Sequence, residues 1–188
     1  MLRLIDRFER WGRCVLGPLT ALLFSVVAFP AVAGDGARPK ASKPWAAQVT
    51  YVVDGDSIWV RSEVDGLRRK LRLSGVDAPE ICQSHGASSR AALQALVQGQ
   101  RILVHVRAYD RYARGIASIE RVSDGLDIVG ALVAEGWAWS EDYRGRKGKY
   151  WREQAEARAG RKGMFAKGQP ETPAAFRKRH GSCSLKRK

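Results

Sequence analysis

Three short stretches of this chain concentrate carboxylates and guanidiniums: Asp54-Gly55-Asp56-Ser57, Arg72-Leu73-Ser74-Gly75-Val76-Asp77-Ala78-Pro79-Glu80 and Tyr109-Asp110-Arg111-Tyr112-Ala113-Arg114-Gly115. Two carboxylates from separate segments plus a turn carbonyl would give a hard cation such as Ca2+ its oxygen ligands, with room left for water and a phosphate oxygen. Two Arg side chains could fork onto that phosphate as charge builds in an in-line displacement. A further carboxylate could orient or deprotonate the attacking water. Together these groups suffice to hydrolyse a phosphodiester. Singly they mean little, since Asp54-Gly55 is a hairpin turn pair, Asp77 to Glu80 a turn with two solvated acids, and Arg72 the wet side of a strand. An EF-hand loop is excluded, because Asp56-Ser57 runs straight into Ile58-Trp59 instead of further oxygen ligands. His85, His105 and His180 are scattered and no paired Cys spacing suggests zinc, so His105 reads as a strand residue and His85 as a helix start.

Such groups act only if rigid elements position them. Strand signals run from Ala47 to Val53, Ser57 to Arg61 and Leu67 to Leu73, joined at Asp54-Gly55 and Asp65-Gly66. A helix from Ser84 to Gln98 stops at Gly99. Ile102, Val104, Val106 and Ala108 alternate through a fourth strand, and Gly115 to Val122 makes a fifth. Asp127 can cap a helix from Ile128 to Glu135, and a third helix fits Tyr150 to Lys162 with Trp151, Ala155 and Ala159 on its inner face. The order predicts an α+β fold, a five-stranded Greek-key OB-fold β-barrel with three α-helices, a scaffold that commonly binds oligonucleotides.

The chain has 188 residues with 33 Lys plus Arg against 19 Asp plus Glu, a net charge of +14. That excludes an ordinary metabolic enzyme, while 45% hydrophobic residues exclude a disordered basic tail. Collagen, coiled coil and helical membrane bundle are excluded too. Nucleic acid is the leading partner and an anionic membrane surface the second. Arg3, Arg7, Arg10 and Arg13 precede an apolar run from Val15 to Phe29 and then Ala31-Val32-Ala33, the layout of a secretory signal peptide over 1–33. The run is short for an uncleaved anchor, which needs roughly 20 apolar residues, and it contains Gly17-Pro18. The expectation is a secreted or periplasmic monomer with no membrane span once the leader is cut. A linker follows over 34–46, then the working domain over 47–167 and a basic tail over 168–188, mobile or loosely docked. Cleavage removes Cys14 and leaves Cys82 and Cys183, which in an oxidising compartment can form one disulfide or stay as two thiols.

The three stretches, with Ala131-Leu132-Val133 and Gly136-Trp137-Ala138, resemble the staphylococcal nuclease (thermonuclease) family of Ca2+-dependent phosphodiesterases from about Ala47 to Ala166. The resemblance implies metal ligation by Asp56, Asp77 and the main-chain carbonyl of Ala78, catalytic roles for Arg72, Glu80 and Arg114, and phosphate contact by Tyr112. Tyr143 is a candidate for a second phosphate-site Tyr. Ser57 and Ala78 stand where the best-known pattern has Thr; Ser57 keeps a hydroxyl, and Ala78 loses one next to a backbone ligand. The implied function is a secreted, Ca2+-dependent nuclease acting on DNA and/or RNA with little sequence choice. The alternative is a non-catalytic nucleic-acid-binding OB module, but such a module gains nothing from Asp56, Asp77 and Glu80 facing phosphate, because like charge repels it unless a cation intervenes. From residue 144 onward 15 Lys and Arg outnumber Glu153, Glu156 and Glu171, an excess expected to add sequence-independent affinity for a polyanion.

Overall fold

The computed structural model describes residues 43–183, so the signal-peptide expectation and most of the linker lie outside the described residues. Five strands, β1 (Trp45–Val52), β2 (Ser57–Ser62), β3 (Arg68–Leu73), β5 (Arg101–Tyr109) and β6 (Gly115–Arg121), close into a barrel in the order β1-β2-β3-β6-β5. The pairings are antiparallel except β3 with β6, and β1 meets β5 to leave no open edge. Alternation dictates the filling: Ile58 and Val60, Leu71 and Leu73, Ile102, Val104 and Val106, then Ala117 and Ile119 all point inward and are buried. β1 starts at Trp45, two residues before the expected domain boundary, because Trp45 and Ala46 pair with Val104 and Leu103.

A short strand β4 (Val76–Asp77) pairs with β7 (Trp139–Ser140), which ties the Asp77 turn to the chain after α2 (Ile128–Ala134). Asp127 caps α2, accepting from the N–H groups of Val129 and Gly130. Helix α1 (Gly86–Val97) lays Ser89, Leu93 and Val97 on the core. Gly55 serves close approach rather than a left-handed turn: a Cβ there would collide with the Ser89 hydroxyl and Ala78 Cβ, so the Asp54–Asp56 segment packs against α1.

Two expectations change. In α3 (Trp151–Ala159) the buried residue is Ala157, whereas Trp151, Ala155 and Ala159 are exposed. The helix is phased by its neighbours, since Gln154 accepts from the Ser140 N–H and buried Tyr150 donates to Asp127. The basic tail is not wholly loose, because 173–180 form a fourth helix, α4 (Pro173–His180), beyond a 3-10 turn at Gly163–Lys167. Thr172 caps α4 through the Ala175 N–H, and Pro173 occupies its first turn, where no N–H is required. Among the described residues no helix is long and apolar enough to cross a membrane.

Candidate active site

Strand β3 sets the centre of the site. Arg72 lies between Ser57 of β2 and Ile116 of β6. Its guanidinium reaches Asp56 Oδ1 at 2.7 Å and Asp77 Oδ1 at 3.1 Å, so one side chain joins the first two acidic stretches. Asp56 is buried, and its other oxygen accepts the Ala78 N–H at 3.1 Å. The Ser57 hydroxyl donates to Asp56 Oδ1 at 2.9 Å, using the group this position retains. Ala78 is thus tied to the nest through its N–H.

Glu80 stands on the loop between β4 and α1. Gln83 Oε1 accepts the Glu80 N–H, and the Gln83 N–H donates back to the Glu80 carbonyl at 2.8 Å, which pins the loop. The third stretch is a self-bonded turn: Asp110 Oδ1 accepts the N–H groups of Tyr112 and Arg114, and Asp110 Oδ2 accepts from Arg114 Nε at 2.7 Å. Burial pushes the Asp110 carboxyl up, but Arg114 and these N–H groups outweigh it and hold it below its ordinary value. Arg111 and Arg114 both stack near the ring of exposed Tyr112.

A single cavity of about 560 Å³ collects Asp56, Arg72, Ala78, Glu80, Tyr112 and Arg114. Asp77 is not among the lining residues but is bonded to Arg72, which is. Tyr143 is not brought there. It exchanges backbone bonds with Arg146 in a surface turn and is exposed with Arg144 over its ring, outside the lining of the cavity. The two thiols resolve as one disulfide: Cys82 and Cys183 are bonded with Cα atoms 5.9 Å apart, and Cys183 lines the cavity.

Two further charged residues, Asp54 and Arg177, line the cavity, and the charges of the site reach a third, Glu141. Asp54 lines the cavity and accepts the Asp56 N–H; burial and then the Asp56 charge push its carboxyl up to about 7. Its neighbour at two residues' distance was the available signal, hidden by the turn reading. Glu141 is raised by burial, opposed by Arg72 and reinforced by Asp77 and Asp56. It follows β7, so only the β4–β7 pairing places it there. Arg177 comes from α4. Its guanidinium takes Asp77 Oδ1 at 3.0 Å and Oδ2 at 2.8 Å, and bridges to Glu80 Oε1 at 3.0 Å. These bonds raise it further above the ordinary guanidinium value.

Among the described residues no three His, Cys, Asp or Glu side chains form a ready-made metal cage. The donor chemistry still suits a hard cation: Asp56 and Asp77 offer oxygen alone, and Asp54 lines the same cavity beside Asp56 with oxygen donors of its own.

The family described as staphylococcal nuclease homologue matches residues 70–167. Protein ParB of Escherichia coli is 32% identical over 138 residues, covering 67% of this chain and 77% of that protein. The chain belongs to the staphylococcal nuclease family. An uncharacterized endonuclease of Escherichia coli O157:H7 is 30% identical over 132 residues, covering 70% of this chain and 84% of that protein. The probable staphylococcal-like nuclease CAN1 of Oryza sativa subsp. japonica is 32% identical over 123 residues, 64% of this chain; the match spans only 37% of the rice protein. The family match ends before α4, so Arg177 and Cys183 lie beyond it.

Proposed function

We propose that the protein is a nuclease that hydrolyses phosphodiester bonds in DNA and/or RNA with little sequence choice. The observation that carries this reading is the meeting of Arg72, Arg114, Glu80 and Asp56 around one cavity. Asp56, Asp77 and the Ala78 carbonyl would hold Ca2+, which when bound draws charge off the phosphate and lowers the cost of attack by water. Arg72 and Arg114 fork onto non-bridging phosphate oxygens, where their charge counts most in the transition state. Glu80 orients the attacking water and takes its proton as the new P–O bond forms and the bond to the leaving sugar oxygen breaks.

A neighbouring groove of about 500 Å³ shares Lys70 and Tyr112 with the site and adds Trp59, Tyr109 and Arg68. Aromatic faces beside cations suit unpaired bases of any sequence, which supports a single-stranded substrate. The acid set disfavours a module that only binds nucleic acid, since Asp54, Asp56, Asp77 and Glu80 gathered where phosphate would dock serve binding alone poorly and suit a site that also takes a cation. The reading extends to export through the 1–33 leader and to action as a monomer outside the cytoplasm. The test is hydrolysis of single-stranded DNA and RNA with Ca2+ and with chelator. Cleavage that needs Ca2+ supports the assignment, while binding without cleavage at saturating Ca2+ overturns it in favour of the module.

A further inference from the structure

Arg177 reaches the cavity from outside the barrel and from beyond the family-matched residues. Its helix is delivered by ties to the loop carrying Glu80: the Cys82–Cys183 bond after α4, and Gln83 Nε2 donating to the Glu171 carbonyl at 2.7 Å before it. The guanidinium engages both oxygens of Asp77 and one of Glu80. Arg72 already spans Asp56 and Asp77, so both carboxylates assigned to the cation are bonded to guanidiniums. The two arginines differ in kind. Arg72 is built into β3 between two neighbouring strands, whereas Arg177 is carried by a strap that can be untied.

We infer that Arg177 competes with the divalent cation for Asp77 and Glu80 and thereby sets how tightly the site holds that cation, an inference that rests on the Ca2+ reading above. A dication entering between Asp56 and Asp77 meets a fixed positive charge bonded to one of its ligands. A phosphate arriving from the cavity offers the same guanidinium a fork of its own, and as Arg177 turns to it the Asp77 oxygens are released. Cation and nucleic acid then strengthen each other's binding, and the site holds Ca2+ weakly when no polyanion is present. Before substrate arrives, Arg177 acts on the cation through the carboxylates it holds; once substrate arrives, it binds the phosphate.

The test is calorimetric titration of Ca2+ into the full, oxidised protein without nucleic acid. Arg177→Ala is expected to bind Ca2+ about tenfold more tightly, the low end of what a unit charge at ~4–6 Å does to a neighbouring ionic equilibrium, with Arg177→Lys in between. Arg179→Ala removes the same charge from the same helix but from a residue paired with Glu171, and should leave the affinity unchanged. The double change Cys82→Ser with Cys183→Ser unties the strap and should move the affinity toward that of Arg177→Ala. Equal or weaker binding in Arg177→Ala, an equal gain in Arg179→Ala, or no Ca2+ binding in either protein overturns the inference, and an unmoved double Ser variant overturns the part given to the disulfide. Melting in chelator confirms that each variant is folded. Hydrolysis at saturating Ca2+ is read separately: cleavage without tightened binding defeats this inference alone, and tightened binding without cleavage defeats the nuclease reading alone.

Discussion

Arg114 and Arg177 reach the same cavity by opposite routes. Arg114 is held by Asp110, four residues away, inside a turn that also closes Asp110 on the N–H groups of Tyr112 and Arg114. Arg177 is held by Asp77 and Glu80, at separations of 100 and 97 residues, through a helix anchored by a disulfide. The first arrangement is a local device that forms wherever the β5–β6 hairpin forms. The second exists only when the barrel, the Glu80 loop and α4 have all assembled. Local support makes a residue separable from the rest of the fold, while distant support couples its role to stability, redox state and bound ions.

The largest effects should separate the local arginine from the embedded one. Arg114→Ala is expected to lower turnover by about 10²–10³-fold with melting little changed, because Asp110 keeps its backbone partners. Arg72→Ala should lower turnover at least as much and also destabilise the fold by about 3–5 kcal/mol, since it strands buried Asp56 without its guanidinium. Equal melting temperatures for these two variants would erase the distinction. Glu80→Gln keeps shape and one hydrogen bond but no charge, so turnover should fall by about 10²–10⁴-fold while Ca2+-dependent nucleotide binding persists. Wild-type turnover in that variant would remove Glu80 from the water-activating role.

Smaller effects probe the distant supports. Reducing the disulfide opens a loop whose ends are 101 residues apart, for which chain entropy sets an upper figure of about 4.7 kcal/mol. A fall in melting temperature equivalent to about half of that figure is expected, because α4 retains the Gln83–Glu171 bond. No shift on reduction would show that the strap contributes nothing to stability. The smallest effect concerns Asp127, which caps α2 and receives Lys149 and the Tyr150 hydroxyl. Burial raises its carboxyl, yet Lys149, the Gly130 N–H and Tyr150 outweigh burial and leave it below the ordinary 3.8. A depressed folded value means its contribution is present above the unfolded value and is lost as pH falls through the folded one. Asp127→Ala should therefore cost about 1 kcal/mol at neutral pH and progressively less in acid, read from denaturant midpoints at both pH values. A cost that grows in acid would contradict this sign.

The strands and the three acidic or basic stretches were legible because their signals are local. The alternation of Ile102, Val104 and Val106 buries one face of a strand whatever surrounds it, and Asp65-Gly66 and Asp124-Gly125 close turns with glycines at positive φ. Helix α3 was misphased because it buries little more than Ala157, so its neighbours set its rotation. Tyr143, a candidate by its place in the sequence, sits in a surface turn with Arg146 and is not among the residues that line the cavity.

By itself the sequence determined the strands and turns, since these depend on interactions spanning a few residues, and the family resemblance of its motifs singled out Asp56, Arg72, Glu80 and Arg114 as candidates. Only the tertiary structure decided that Asp54 is crowded against Asp56 in a buried nest, that Glu141 joins it through the β4–β7 pairing, and that a residue of the basic tail sits on Asp77 and Glu80. The physical reason is that a charge is defined by its partners and its burial. For these three residues the deciding partners and surroundings come together only when the barrel closes and α4 docks.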